Sequence, residues 1–210
     1  MNLSAVILAG GESRRMGRDK AWLEVDGQPF IHRAIATVRS AGAEEVLISG
    51  REGEDYSTLG CPVLFDLEPN FGPIAGIERA LRAARAPLLL VLAVDLPHMT
   101  SVFLRKLAAR CQARTGVIPR LADGLEPLAA IYPKRCHAIA LAFLTKNQRT
   151  ARAFAEACLR EHSVRPFRVA WADAPCFVNC NKPEALVAAA RANRAAGQCR
   201  ADSGRLHSHL

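Results

Sequence analysis

A glycine pair followed by a cluster of cations, close to the N-terminus, constrains this chain more than any other stretch. The apolar run at residues 5–8 breaks into Gly10 and Gly11, and three Arg and one Lys follow before residue 21. Glycine lets the backbone come close to a ligand with its N–H groups turned inward, which suits a polyphosphate. The spacing fits neither the P-loop nor the dinucleotide fingerprint. We therefore predict a first strand that delivers a different phosphate-binding loop, with a basic surface turn as the alternative interpretation.

The same stretch resembles a family signature. LAGGESRRMGRDK at residues 8–20 is similar to the pattern LAGG-x-S-x-RMG-x-x-K of the nucleotidyltransferases with a Rossmann-like fold, which couple a nucleoside triphosphate to a phosphorylated acceptor. Within that superfamily the chain most resembles the molybdenum cofactor guanylyltransferases, the MobA family. The resemblance implies a three-layer α/β/α fold with a mostly parallel central sheet.

The composition indicates a single globular domain. The chain has 210 residues, half of them hydrophobic, which is enough for a large core. We expect one domain over residues 1–196 and a flexible tail over residues 197–210. The net charge of +8 indicates an anionic partner, but no basic run reaches five residues and aromatic residues make up only 6% of the chain, which argues against nucleic acid.

The cysteines and the apolar runs indicate the cellular compartment of the protein. Seven cysteines form no C-x-x-C pair, and the N-terminus lacks the pattern of a signal peptide. An odd, scattered set of thiols fits a reducing compartment. The longest apolar run, residues 88–94, is far shorter than the ~20 residues that a membrane helix needs. We expect a cytoplasmic protein with free thiols, no metal site at its cysteines and no membrane partner.

Hydrophobic periodicity predicts alternating strands and helices. Strands are predicted at residues 21–25, 45–49, 62–65, 88–94, 115–119, 125–132 and 164–171, after the first at 5–8. Helices are predicted at residues 30–40, 74–86, 101–113, 133–144 and 150–161, with Thr100 and Thr150 as caps. This order predicts a doubly wound sheet, and the continuous apolar run at residues 88–94 predicts its central strand.

Two carboxylates follow predicted strands and therefore lie at the edge where α/β sheets bind ligands. Asp95 comes directly after the central run and is the main candidate for holding Mg²⁺. Its alternative role is to cap the next helix, which Thr100 fills more naturally. Asp66 follows the strand at residues 62–65, and a turn-forming Asx residue is its alternative role.

Two later motifs carry the narrower resemblance. E-P-L-x-A-x-Y at residues 126–132 resembles a run that lies beside the acceptor pocket of the guanylyltransferases, although by itself it would be an ordinary strand. The N-x-N of Asn179 and Asn181 resembles the F-x-N-x-N-x-P-E-E-L segment of that family. Amides both donate and accept hydrogen bonds, which suits a site crowded by phosphates. Asn181 is also placed to cap a last helix that opens at Pro183.

The resemblance implies a reaction and its partners: GMP passes from GTP to the terminal phosphate of molybdopterin (Mo-molybdopterin when it carries the metal), and pyrophosphate leaves. Mg²⁺ would bind Asp95, with Asn181 as a second contact, while Arg15 and Lys20 would hold the β- and γ-phosphates and Asp66 would face the guanosine. Proteins of molybdoenzyme maturation are further implied partners. The implied nucleotide- and metal-binding residues are Leu8, Ala9, Gly10, Gly11, Lys20, Asp66, Asp95, Asn179 and Asn181.

Two alternatives stay open. A cytidylyl- or other nucleotidyltransferase would carry the same loop, and Ser49-Gly50-Arg51 stands where many guanylyltransferases have an Asn-rich stretch. A molybdopterin carrier without nucleotide chemistry is the second alternative. Lys20 and Asp95 argue against the carrier, because it needs neither a triphosphate nor a metal.

Overall fold

A mostly parallel sheet divides the protein into three layers in the computed structural model, which describes residues 2–10, 20–65 and 72–179. The strands are β1 (Leu3–Leu8), β2 (Glu24–Val25), β3 (Gln28–Pro29), β4 (Glu45–Gly50), β5 (Val63–Phe65), β6 (Leu88–Ala93), β7 (Gly116–Leu121), β8 (Gly124–Leu125), β9 (Ala129–Pro133) and β10 (Val164–Arg168). The helices are α1 (Phe30–Ser40), α2 (Pro73–Ala83), α3 (Ser101–Ala108), α4 (Cys136–Thr145) and α5 (Ala151–Arg160).

The strand order across the main sheet is β10-β7-β9-β6-β1-β4-β5, and β8 pairs with β7. β1 is parallel to β4 and β6, β4 to β5, and β7 to β10, whereas β9 runs antiparallel to both β6 and β7. β2 and β3 form a separate hairpin. The predicted α/β/α fold with a mostly parallel sheet is confirmed, and β6 lies at its centre as expected.

Alternation along the central strand explains why helices cover both faces of the sheet. Leu88, Leu90 and Leu92 of β6 belong to the core beneath α1 and α3, whereas Leu89 and Val91 belong to the core beneath α2, α4 and α5. Every residue of β6 is buried. A strand that is apolar on both faces gains its burial energy only when both faces are covered.

Local sequence signals located several helix ends. α1 begins at Phe30 and ends at Ser40 as predicted, and Gly42 follows with a φ of 100°. Thr100 caps α3, because its Oγ1 accepts a hydrogen bond of 3.2 Å from the N–H of Phe103. Thr150 stands at the N-cap of α5 as predicted, but its side chain accepts no hydrogen bond from the described part of that helix.

α2 and α3 end several residues earlier than predicted, because residues just beyond their ends form hydrogen bonds outside the helix. α2 ends at Ala83 rather than at residue 86, and the N–H of Arg85 donates instead to a carboxylate oxygen of Glu45 at 2.9 Å. α3 ends at Ala108 rather than at residue 113, and the pairing of residues 112 and 115 then turns the chain into β7.

The segment predicted as one strand over residues 125–132 consists of β8, a crossing segment and β9. Glu126 donates its N–H to the carbonyl of Pro119 at 2.9 Å, while Leu128 accepts a hydrogen bond of 2.7 Å from the N–H of Ala93. The chain therefore passes the carboxyl end of β6 before β9 begins. This detour, which strand periodicity does not reveal, brings Glu126 close to that end of the central strand.

Other extended predictions were wrong in part. Residues 21–25 begin with a 3₁₀ turn, Lys20–Trp22, before β2. β10 ends at Arg168 rather than at residue 171, and Trp171–Phe177 forms a 3₁₀ helix. The helix after β9 begins at Cys136, three residues later than expected, because β9 itself continues to residue 133.

No helix in the described ranges is long and apolar enough to cross a membrane. The five cysteines described by the structure are free thiols, as expected: Cys61, Cys111, Cys136, Cys158 and Cys176. The predicted domain boundary after residue 196, the tail and the remaining two cysteines lie outside the described residues.

A hydrogen-bonded carboxylate joins the amino ends of β1 and β4. The buried hydroxyl of Ser4 donates to Glu45 Oε2 at 2.6 Å and accepts from the N–H of Ala86 at 3.1 Å. Arg85 donates both its backbone N–H and its Nε to the same carboxylate. Desolvation raises the pKa of Glu45, but these hydrogen bonds and the charge of Arg85 outweigh it, so the pKa lies below its ordinary value.

Glu45→Gln is expected to lower the free energy of unfolding at pH 7 by about 1–2 kcal/mol, the scale of a lost charge-assisted hydrogen bond. Because folding lowers this pKa, the stabilisation is fully present above the unfolded value of 4.5 and is lost as the pH falls through the folded value. Urea unfolding measured from pH 7 down to about pH 3 should show the two proteins converging. Glu44→Gln, an exposed neighbour, is the matched control, and a difference that stays constant with pH would contradict the assignment.

Candidate functional site

The carboxyl ends of β1, β4 and β6 meet at one edge of the sheet. Leu8 is the register partner of Ala93 on one side and of Ser49 on the other. The ladder continues past the strands, since the N–H of Val94 donates to Leu8 O at 3.2 Å and the N–H of Ala9 donates to Ser49 O at 2.8 Å. The loop entered from β1 and the segment that leaves β6 are therefore held together where α/β sheets bind ligands.

Asp95, the first polar residue after β6, is the centre of the polar contacts at this edge. Its Oδ2 lies 3.7 Å from Nζ of Lys20 and accepts a hydrogen bond of 2.9 Å from Nδ2 of Asn179. The side chains of Lys20 and Asp95 are 22% and 19% exposed, so both can be reached from solvent. The fold thus brings two predicted site residues, Lys20 and Asn179, from distant parts of the chain to the carboxylate of a third, Asp95.

This donor set fits a magnesium ion that is shared with a bound polyphosphate. Asp95 offers a hard, partly exposed carboxylate, and its Oδ1 takes no hydrogen bond from the described residues. Mg²⁺ usually binds one or two carboxylates together with substrate phosphates and water. In the described ranges, no three His, Cys, Asp or Glu side chains cluster as a metal cage, so the phosphates would have to complete the coordination.

Glu126 adds a second carboxyl group near Asp95, and sequence analysis gave it no role of its own. Desolvation raises its pKa, the hydrogen bond from Leu128 N–H opposes this, and the negative charges of Asp95 and Asp123 raise it again. Arg152 lowers it, but the net direction is upward. In the sequence, Glu126 stands directly before Pro127 and after the turn that follows β7. This position alone does not predict a site residue, because Glu126 lies near Asp95 only through the crossing segment that passes the end of β6.

The segment Ser49-Gly50-Arg51, where an Asn-rich stretch was expected, has a packing role. A Cβ on Gly50 would lie 2.6 Å from Cε2 of Tyr56, so the aromatic ring requires glycine there. Tyr56 stacks on Trp22 at a centroid distance of 6.2 Å, and its hydroxyl accepts a hydrogen bond from Arg51 N–H at 3.3 Å. Packing against Tyr56 therefore accounts for the glycine in this segment.

At the same edge, packing requires glycine at Gly76 but not at Gly10. A Cβ on Gly76 of α2 would lie 2.3 Å from Ser49 Oγ, whereas a Cβ on Gly10 would meet nothing closer than 3.5 Å. α2 therefore approaches β4 closely. This contact holds the first turn of α2, which follows Gly72 with its φ of 70°, beside the carboxyl end of β4.

The other predicted site residues divide by location. Those outside the described residues are Gly11, Arg15, Asp66 and Asn181. In the motif at residues 126–132, Tyr132 is fully buried and its hydroxyl donates to Pro127 O at 3.0 Å, so the aromatic end of the motif belongs to the core. Glu126 is the end of the motif that lies near Asp95.

Comparison with known proteins gives a consistent result along most of the chain. Residues 5–164 match the family model described as the MobA-like NTP transferase domain. A probable molybdenum cofactor guanylyltransferase from Opitutus terrae is 38% identical over 185 residues, which cover 87% of this chain and 92% of that protein. The molybdenum cofactor guanylyltransferase of Xanthomonas euvesicatoria pv. vesicatoria is 34% identical over 184 residues, covering 86% of this chain and 90% of that protein.

Two solved structures confirm the fold. Molybdopterin-guanine dinucleotide biosynthesis protein A from Archaeoglobus fulgidus superposes with a TM-score of 0.72 at 23% identity, covering 91% of this chain and 98% of that chain. A nucleotidyl transferase from Methanothermobacter thermautotroptrophicus superposes with a TM-score of 0.73 at 19% identity, covering 90% and 96%. At these identities the likeness concerns the fold alone.

Proposed function

The chain belongs to the family of MobA-like NTP transferases, and from this premise we propose that it transfers GMP from GTP to the terminal phosphate of molybdopterin. The products are the guanine dinucleotide form of the cofactor and pyrophosphate. Support comes from curated relatives that carry the name molybdenum cofactor guanylyltransferase and match nearly the full length of this chain. The observation that carries the proposal is that Lys20 and Asn179 both contact the carboxylate of Asp95.

The proposed reaction needs charge control more than proton transfer. An oxygen of the acceptor's phosphate monoester attacks the α-phosphorus of GTP, the new P–O bond forms, and the bond to the α–β bridging oxygen breaks, so that pyrophosphate leaves with the electron pair. A phosphate monoester is largely ionised near pH 7, because its second pKa is about 6. We therefore assign no general base. The barrier is the approach of two anions and the charge that develops on the leaving group.

We assign Lys20 the role of stabilising the negative charge on the leaving pyrophosphate. Its ammonium lies 3.7 Å from Asp95, which holds it at the edge where β1 and β6 end. A fixed cation there attracts the triphosphate and stabilises the negative charge that grows on the departing pyrophosphate. Asn179, through its hydrogen bond to Asp95, keeps the carboxylate oriented. Holding both phosphates in line supplies much of the remaining rate enhancement.

Mg²⁺ is proposed to bind Asp95 together with phosphate oxygens, and when bound it supplies positive charge that offsets repulsion between the two phosphates. The backbone of residues 8–10 would face the guanine base beside the end of β4, with Asp66 near the guanosine. The close approach of α2 to β4 at Gly76 would place the first turn of α2 beside the bound nucleotide.

The proposed function predicts base-specific pyrophosphate release. Purified protein, Mg²⁺ and molybdopterin should release pyrophosphate with GTP and much more slowly with ATP, CTP or UTP. The same assay without molybdopterin is the control for simple hydrolysis. Faster release with CTP would make the protein a cytidylyltransferase, and no release with any of the four nucleotides would contradict the proposal and favour a carrier.

Lys20→Ala is expected to lower kcat by roughly 10²- to 10³-fold, the loss typical of removing one donor that stabilises charge in a transition state. Steady-state pyrophosphate release at saturating GTP measures it. Lys134→Ala, which removes an exposed cation outside this edge, is the matched control and should retain wild-type turnover. If Lys20→Ala also turned over at the wild-type rate, Lys20 would have no part in the chemistry.

Asp95→Asn is expected to abolish the stimulation of activity by Mg²⁺ while the fold stays intact. Calorimetric titration of Mg²⁺ into protein saturated with a non-hydrolysable GTP analogue should show affinity reduced by at least roughly 10- to 100-fold, the loss that even an outer partner of a metal ligand causes. Glu156→Gln, on the exposed side of α5, serves as the carboxylate control. Unchanged magnesium affinity in Asp95→Asn would remove Asp95 from the metal site.

A further inference from the structure

A groove opens at the carboxyl ends of β7 and β10. Its residues have no role in the transfer described above. Its volume is about 720 Å³, and its polar and aromatic lining consists of Arg120, Asp123, Arg168 and Trp171. β7 and β10 run parallel to each other, and β9 is antiparallel to both β7 and β6, so β6, β7 and β10 all point the same way. The groove therefore opens on the same edge of the sheet as Asp95.

Two arginines stand side by side in this groove. Arg120 of β7 and Arg168 of β10 are register partners in a parallel pair, so their side chains leave the same face of the sheet about 4.8 Å apart at the backbone. Like charges in neighbouring positions repel each other. Within the described residues neither guanidinium forms an ion pair. A ligand that offers anionic or carbonyl oxygens between them would relieve this repulsion and accept several hydrogen bonds.

Trp171 is 93% exposed, although the segment that carries it is firmly held. Lys106 Nζ binds the carboxylate of Asp173 at 2.8 Å, and the ring of Phe177 packs edge-on against Phe103 at 5.1 Å. Cys176, between them, is buried. An indole kept in water by an anchored segment offers a large, flat surface to a ligand at little cost in conformational entropy.

The groove lies on the opposite side of β6 from β1 and β4. From β6, the strands β9, β7 and β10 follow in order, and neighbouring strands are about 4.8 Å apart, so β7 lies roughly 10 Å and β10 roughly 14 Å from β6. The nucleotide side, formed by β1, β4 and α2, lies in the opposite direction. The segment that holds Trp171 also leads directly to Asn179, which binds Asp95.

We propose that this groove holds the ring end of the acceptor, with the planar heterocycle stacked on Trp171 and its oxygen atoms bound by Arg120 and Arg168. The inference rests on the proposed function and specifies the substrate class: a flat, fused heterocycle that carries a phosphate ester and extends from the end of β6 toward β7 and β10, roughly 10–14 Å away. Trp171, Arg120 and Arg168 then determine which acceptor is bound, and Lys20 and Asp95 act on the phosphates.

The kinetic test separates acceptor binding from nucleotide binding. Trp171→Ala should raise the KM for molybdopterin by about 5- to 150-fold, the affinity that stacking on one aromatic side chain provides, and leave the KM for GTP within about twofold. Trp171→Phe should recover part of the affinity, because it keeps a stacking face. Arg168→Gln should likewise raise the KM for molybdopterin and not the KM for GTP.

Matched controls come from neighbouring positions outside the groove. Val102→Ala removes an exposed apolar side chain on α3, and Arg165→Gln removes a cation from β10 outside the groove; both should behave as wild type. A molybdopterin KM unchanged by Trp171→Ala, or a KM for GTP that rises equally, would overturn the proposal. A third outcome would also overturn it: Trp171→Ala lowers the molecular mass measured by sedimentation and leaves the KM for molybdopterin unchanged. The indole would then pack against a second copy of the chain instead of the acceptor.

A binding measurement separates this inference from the proposed function. In Trp22→Phe protein, Trp171 is the remaining tryptophan, and titration with a pterin that bears a phosphate ester should quench its fluorescence. The same titration after Arg168→Gln should require a higher concentration of the pterin. Quenching in a protein that releases no pyrophosphate would leave the groove assignment standing and reject the transfer, whereas pyrophosphate release without quenching would reject the groove assignment alone.

Discussion

The register between β1 and β6 is the constraint on which the rest of the site depends. Leu8 pairs with Ala93, and the N–H of Val94 extends the ladder to Leu8 O. A shift of one residue would turn every side chain of β6 to the opposite face of the sheet. Since β6 is buried on both sides, such a shift would leave the apolar volumes of the two cores mismatched. Packing in the core thereby fixes where Asp95 leaves the sheet, and Lys20 and Asn179 reach it from elsewhere.

The antiparallel strand β9 separates the two halves of the edge. Because it runs against β6 and β7, its crossing segment passes the end of β6 and leaves Glu126 near Asp95. On one side lie β1, β4 and α2 with the loop that follows Leu8, and on the other lie β7 and β10 with the groove of Arg120, Arg168 and Trp171. The proposed transfer needs two binding surfaces on either side of one charged centre, and this strand order places one candidate surface on each side of Asp95.

Electrostatics at this edge are balanced locally rather than by the net charge of the chain. Asp95 lies beside Lys20, and desolvation, together with the negative charges of Asp95 and Asp123, raises the pKa of Glu126. Among the described residues, the other Arg and Lys side chains are largely exposed. The net charge of +8 predicts an anionic partner without locating it, whereas the loop at residues 8–20 predicts a phosphate site at this edge.

The sequence by itself determined the fold class, the central strand and the Lys20–Asp95 pair as candidates, because apolar periodicity, a glycine turn and a carboxylate after a buried strand are local features. It did not locate the end of α2, the split of residues 125–132 or the groove beside Trp171. Each of these depends on a contact between distant residues: Glu45 with Arg85, Leu128 with Ala93, and Arg120 with Arg168. Such contacts exist only once the strands are paired, so the tertiary structure alone decided which polar side chains share the edge and which belong to the core.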